Sequence, residues 1–137
     1  MHMRLMKSSI RAALGVGLVG LCAVCPGGPG ERVPVMVGGE PEIDACGSIG
    51  TVSGLRAEPG NFLAVRQGPG TEYPSLATLP LGAHLWLCDT RQGWYGVVFG
   101  TPGQDCGVAS PRSQRVAYDG PCSSGWVAKQ YISISAG

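Results

Sequence analysis

The clearest signal along the chain is a set of short stretches in which apolar and polar residues alternate. Phe62–Arg66 (FLAVR) sets Leu63 and Val65 on one face and Ala64 and Arg66 on the other. Ala83–Asp89 (AHLWLCD) places Leu85 and Leu87 opposite His84, Trp86 and Cys88. Trp94–Phe99 (WYGVVF) places Tyr95, Val97 and Phe99 opposite Trp94 and Val98. Alternation with a period of two, bounded by Gly, Pro, Asn and Asp, is the mark of half-buried strands. Gly50–Leu55 is a further candidate strand. In Ser75–Leu79 the two leucines face opposite ways, so it reads as a short extended piece. Gln67–Pro74 and Pro80–Gly82 are turn-rich. Beyond Val24 no stretch holds a helical period for three turns. Several short strands at close spacing predict an all-β domain, a barrel or a sandwich.

The start of the chain follows a different rule. Met1–Arg11 carries Arg4, Lys7 and Arg11 with no acidic residue, and Ala12–Val24 is an apolar run. That run is shorter than the roughly 18 residues a membrane-spanning helix requires. Gly15, Gly17 and Gly20 also make it a poor buried helix. A basic stretch followed by a short apolar one reads as an export signal over residues 1–25, so the expected location is periplasmic or secreted. Gly15-x-Gly17-x-x-Gly20 matches the dinucleotide fingerprint letter for letter, yet no strand precedes it, and no nucleotide is expected. Cys22 and Cys25 stand where a lipoprotein cysteine would, without the usual small residue before either. Residues 26–45 are rich in Gly, Pro and Glu and are expected to be a flexible linker. The domain is then expected over residues 46–137.

Removing the signal changes the charge reading. Glu31–Gly137 holds seven basic and nine acidic residues, a balance of −2. This offers no basic patch for nucleic acid and no polybasic stretch for a membrane surface. Four cysteines remain: Cys46, Cys88, Cys106 and Cys122. An even count in a short exported chain points to disulfides, and four cysteines allow three pairings. A zinc site would prefer a Cys-x-x-Cys pair, which residues 46–137 lack.

The sequence gives little reason to expect catalysis. His84 is the one histidine beyond the leader, and no serine sits in a nucleophile elbow that would let it combine with His84 and Asp89. The acidic residues are scattered, without a pair spaced for acid–base work. The expectation is a protein that is not an enzyme, with no cofactor and no metal, and with His84 an ordinary surface residue.

From Leu63 onward the chain resembles the bacterial SH3 (SH3b) family. LAVRQGPGTEYPSLATLPLGAHLWL is similar to the family's apolar-x-Val-Arg strand, Gly-Pro-Gly loop, Tyr-Pro and Leu-x-x-Gly turn. GWYGV (Gly93–Val97) and GWVAKQYI (Gly125–Ile132) are similar to the next two signatures, in the same order. The resemblance implies a small SH3-like β-barrel of short antiparallel strands. It also implies a ligand drawn from peptidoglycan or cell-wall peptide, or from a short peptide of an envelope protein. The candidate contacts are Arg66, Tyr73, Trp86, Trp94 and Tyr131, aromatic or cationic residues of the kind enriched at interfaces. Tyr95 and Trp126 are expected in the core. Gly68 and Gly70 are expected to supply unusual backbone angles. A hairpin turning at Thr90–Gln92 would place Trp86 over Gly96.

The chain departs from the family between Phe99 and Gly125, where residues 100–124 form an insertion containing Cys106 and Cys122. The expected pairing is Cys106 with Cys122 locally, and Cys46 with Cys88 on the outer face. The loop 106–122 is an alternative docking element, through which the chain would act as adaptor or inhibitor of an envelope protein.

Overall fold

A computed structural model describes residues 31–56 and 60–136. The expected export signal, with Cys22, Cys25 and its three glycines, lies outside the described residues. The described residues are all-β, with one 3₁₀ turn at Lys129–Tyr131. The strands are β1 (Met36–Val37), β2 (Glu40–Asp44), β3 (Ser48–Val52), β4 (Leu63–Arg66), β5 (Ser75–Leu79) and β6 (His84–Arg91). They continue with β7 (Trp94–Phe99), β8 (Pro111–Arg112), β9 (Val116–Ala117), β10 (Ser123–Ala128) and β11 (Ile132–Ala136). Seven of them form one antiparallel sheet in the order β11-β3-β6-β7-β10-β4-β5, and β1–β9 and β2–β8 form two small ribbons.

This sheet is strongly curled. Lying flat, β5 and β6 would stand four strand spacings apart, about 19 Å. Yet β5 runs into β6 through a tight turn in which the Ala83 N–H donates to the Pro80 carbonyl at 3.1 Å. Such a turn brings its ends within about 7 Å, so the sheet must bend until β5 comes round toward β6. The bend encloses Val52, Leu63, Val65, Leu79, Leu85, Leu87, Val97 and Val127, all buried. The alternating faces of β4, β6 and β7 supply this core as their sequence pattern predicts, with Tyr95 and Phe99 packed at its margin.

A second core lies on the outer face of the β6–β7 hairpin. Val37, Ala45, Cys46, Val98, Cys106 and Val108 are buried there, with Trp86, Cys88, Val116 and Tyr118 packed around them. Val97 faces the first core and Val98 the second, which explains why β7 is buried on both sides. Two disulfides tie the layer down. Cys46–Cys88 joins the approach to β3 to β6, and Cys106–Cys122 closes the insertion, the pairing expected from the sequence.

The flexible-linker expectation does not hold for residues 33–45. Val35 and Val37 are almost fully buried, and the segment contributes β1 and β2. β1 pairs with β9, and β2 with β8, so the N-terminal segment and the insertion cover the hairpin together. Burial of alternate valines outweighs a Gly/Pro-rich composition here, because Val33, Val35 and Val37 fall on one face of an extended chain. Beyond them, β2 (EPEID) is exposed at every position, as its composition would suggest.

One carboxylate joins all three parts of this layer. Asp89 is buried, and its oxygens accept from the Met36 N–H at 3.1 Å, the Thr90 N–H at 2.8 Å and the Arg115 guanidinium at 2.9 Å. A register shift between Leu87 and Asp89 makes this possible. The extra residue of such a bulge breaks strict alternation, so Cys88 and Asp89 both serve the second layer.

The observed register also corrects the position of Trp86. It lies opposite Val98, while Gly96 lies opposite Asp89 on one side and Trp126 on the other. The hairpin closes at Gln92–Gly93, with Arg91 and Trp94 as its last pair, rather than at Thr90–Gln92. The tryptophan that crowds Gly96 is therefore Trp126. A Cβ on Gly96 would stand 2.7 Å from Asp89 Cβ and 3.3 Å from the Trp126 ring.

Candidate functional site

The Gly-rich loop after β4 is a structural device. Tyr73 is buried, its ring lying where a Cβ on Gly68 would be, and its carbonyl accepts from Arg66 Nη1 at 2.9 Å. Gly68 and Gly70 do not adopt positive φ, so the expected backbone role is replaced by a need for space. Arg66 and Tyr73 thus hold each other. Tyr131 packs against the inner core, and its carbonyl accepts from the Ser53 N–H at 2.8 Å.

The three tryptophans have different fates. Trp126 is fully buried, its indole N–H donates to the Val33 carbonyl at 2.9 Å, and Arg91 lies over its ring at 5.6 Å. It is core, as expected, and it anchors the N-terminal segment. Trp94 is half-buried at the start of β7. Trp86 is half-buried on β6 and borders a groove of about 980 Å³. The groove takes its lining from Ile49, the Leu79–Ala83 turn, Leu85, Trp86 and residues 99–104 of the insertion. Its size falls in the range usual for ligand sites, and apolar walls are what such sites present.

Local chemistry explains why these residues meet. The curl of the sheet brings the Pro80–Ala83 turn beside the start of β6, leaving Leu81 48% exposed at the groove. On the other side the chain leaves β7 at Phe99 and folds into a small loop. Gln104 Oε1 accepts there from the Thr101 N–H at 3.0 Å and the Thr101 hydroxyl at 3.3 Å. Gly100 packs against the second disulfide, since a Cβ there would stand 2.8 Å from Cys122 Sγ. The insertion therefore builds one wall of the groove, and the Cys106–Cys122 bridge holds it.

Of the five candidate contacts, the groove gathers one, Trp86. Trp94 and Phe99 sit at opposite ends of β7, about 17 Å apart along an extended chain. Arg66, Tyr73 and Tyr131 are engaged elsewhere. Sequence reading missed Leu81 and the 99–104 wall. The available signal was a leucine isolated between Pro80 and Gly82, a turn position where burial is hard to achieve.

The described chemistry is spare. His84 lies beside the groove with Nδ1 3.2 Å from Thr51 Oγ1. Arg115–Asp89 is the one ion pair among the described residues, and its role is to join strands. No group of three His, Cys, Asp or Glu side chains among the described residues is placed to hold a metal ion. Among these residues, too, no helix is long and apolar enough to cross a membrane. No known family model, curated protein or solved structure matches this chain.

Proposed function

We propose that the chain is an exported, non-catalytic binding module of the bacterial SH3 kind, with an SH3-like barrel as its frame. We take its ligand to be peptidoglycan or another cell-wall peptide, received in the groove beside Trp86. The observation that carries this reading is the groove itself. It is wide, largely apolar, bordered by a half-buried tryptophan, and built where the sheet meets a disulfide-pinned insertion. Rigid scaffolds that position loops around a concave surface are suited to recognition. The family resemblance from Leu63 to Ile132 supplies the ligand class.

The test is retention of the oxidised chain on purified peptidoglycan sacculi, with Leu81→Glu and Trp94→Ala alongside. Leu81 is exposed, so its replacement leaves the core intact. Retention lost in Leu81→Glu and kept in Trp94→Ala supports the groove. Loss in Trp94→Ala alone moves the site to the other end of β7, and no retention of any form removes the wall ligand. Docking of an envelope protein through residues 106–122 is the second reading. Deleting Gly107–Pro121 does not probe it cleanly, because Val108 is buried in the second core and Arg115 holds Asp89. Substitutions at exposed positions of that loop are the sound alternative.

A further inference from the structure

Residues 33–37 lie on the outer face of the sheet as a ligand would. The segment is extended, and residues far apart in the chain bind its backbone. The Val33 N–H donates to the Gln67 carbonyl at 2.8 Å, and the Val33 carbonyl accepts from the Trp126 indole N–H at 2.9 Å. The Val35 carbonyl accepts from the Tyr118 N–H at 2.9 Å, and the Met36 N–H donates to Asp89. Alternate side chains are sealed in: Val35 and Val37 are 2% and 1% exposed, while Pro34 between Val33 and Val35 faces solvent. Gly96 forms the floor beneath Val35, since a Cβ there would stand 3.1 Å from Val35 Cγ1. Backbone bonds combined with pockets for alternate side chains are how a sheet receives an added extended segment. Within the segment only Met36 and Val37 pair as a strand, with β9, and they lie outside the seven-stranded sheet.

The segment ends in a bend at Gly38 and Gly39, both at positive φ (81° and 106°). The bend is tight, because a Cβ on Gly38 would stand 2.5 Å from the Gln114 carbonyl oxygen. Among the described residues the first disulfide anchor is Cys46, so residues 33–37 can leave their site without a covalent bond breaking. We propose that this outer face is an exchange site between two copies of the chain. Unbending at Gly38–Gly39 lets residues 33–37 of each copy seat on the Gly96–Trp126 face of the other. The occupant is a second copy because the site fits this sequence, with its alternate valines and its carbonyl on Trp126. The contacts of the closed form are made again in the exchanged dimer, and reciprocal exchange about a two-fold axis leaves no vacant face. None of residues 33–37, Gly96 or Trp126 lines the Trp86 groove, so the exchange holds whatever ligand that groove takes.

The test mixes ¹⁵N-labelled and ¹³C-labelled oxidised chain in equal amounts at millimolar concentration. The mixture is held near the urea midpoint, so that segments can exchange, and returned to buffer. Size-exclusion chromatography with light scattering separates dimer from monomer. In the mixed dimer the ¹⁵N-bound Trp126 indole proton is expected to show a nuclear Overhauser effect to ¹³C-bound protons of Val33 in the other copy. Gly38→Ala strains the closed bend in each of the two copies, so it is expected to raise the dimerisation constant by about tenfold or more. Gly39→Ala is the milder second variant should Gly38→Ala fail to fold, since its Cβ would stand 3.3 Å from Arg115 Cβ, and it is expected to act in the same direction. Monomer alone after this treatment overturns the proposal. A dimer without the Trp126–Val33 effect overturns it too, as does an unchanged dimerisation constant in the variant that folds.

Discussion

Replacing Asp89 with alanine should loosen the outer layer before the inner core. The carboxylate holds three donors of unequal exposure. The Met36 N–H is partly buried in β1, and stripping its acceptor costs about 1–2 kcal/mol, since a shielded donor is left unpaired. The Thr90 N–H lies on an exposed residue and can turn to water, so it adds little. The Arg115 side chain is 50% exposed, and its ion pair contributes at most about 1 kcal/mol. The expected total is about 1–3 kcal/mol, or roughly 5–20 °C in Tm for a domain of this size. Asp89→Asn keeps the shape and one acceptor, so it should lose less. The assay is urea unfolding of the oxidised chain, paired with hydrogen exchange read amide by amide. Met36 and its neighbours in β1 and β9 should lose protection, while Leu63 and Val65 in β4 keep theirs. A loss below about 0.5 kcal/mol, or equal loss of protection in β4, would refute the idea that Asp89 joins the outer layer to the hairpin.

Gly96→Ala should destabilise by about 1–3 kcal/mol, because its new methyl meets Asp89 and Trp126 from opposite sides; chemical denaturation measures it. Trp126→Phe should cost about 3 kcal/mol or less and expose Val33 to exchange, since it removes volume and the bond to the Val33 carbonyl. The Cys106→Ala/Cys122→Ala double variant should lose about 3 kcal/mol, the effect of a loop near 15 residues, and should bind wall fragments more weakly. A chain beginning at Cys46 should unfold at markedly lower urea than one beginning at Glu31, because it lacks Val35 and Val37 of the second core.

Much of the inner core could be read from sequence because its strands follow strict alternation. Leu63, Val65, Leu85, Leu87 and Val97 fall on the buried face that a period of two assigns them. The second layer was harder, for two physical reasons. Its N-terminal part alternates over only Val33, Val35 and Val37, between Gly/Pro-rich flanks that suggest an unfolded tether. Its register depends on where the β6–β7 hairpin turns and on a bulge at Cys88–Asp89, and the two together place Trp86 opposite Val98 instead of Gly96. The disulfide pairing could be anticipated because Cys106 and Cys122 share one insertion. The groove could not, since it needs a turn after β5 and a loop after β7 to meet through the curl of the sheet. Only Trp86 was marked in advance, by being a large aromatic on the outward face of a strand.

The most direct test of groove recognition follows the three indole N–H signals by ¹⁵N-resolved NMR while soluble peptidoglycan fragments are added to the oxidised chain. The Trp86 signal should shift with saturation, while Trp126, sealed on Val33, and Trp94, at the far end of β7, stay in place. A shift at Trp94 with Trp86 unmoved would contradict the site, and three unmoved signals would contradict wall recognition by this groove.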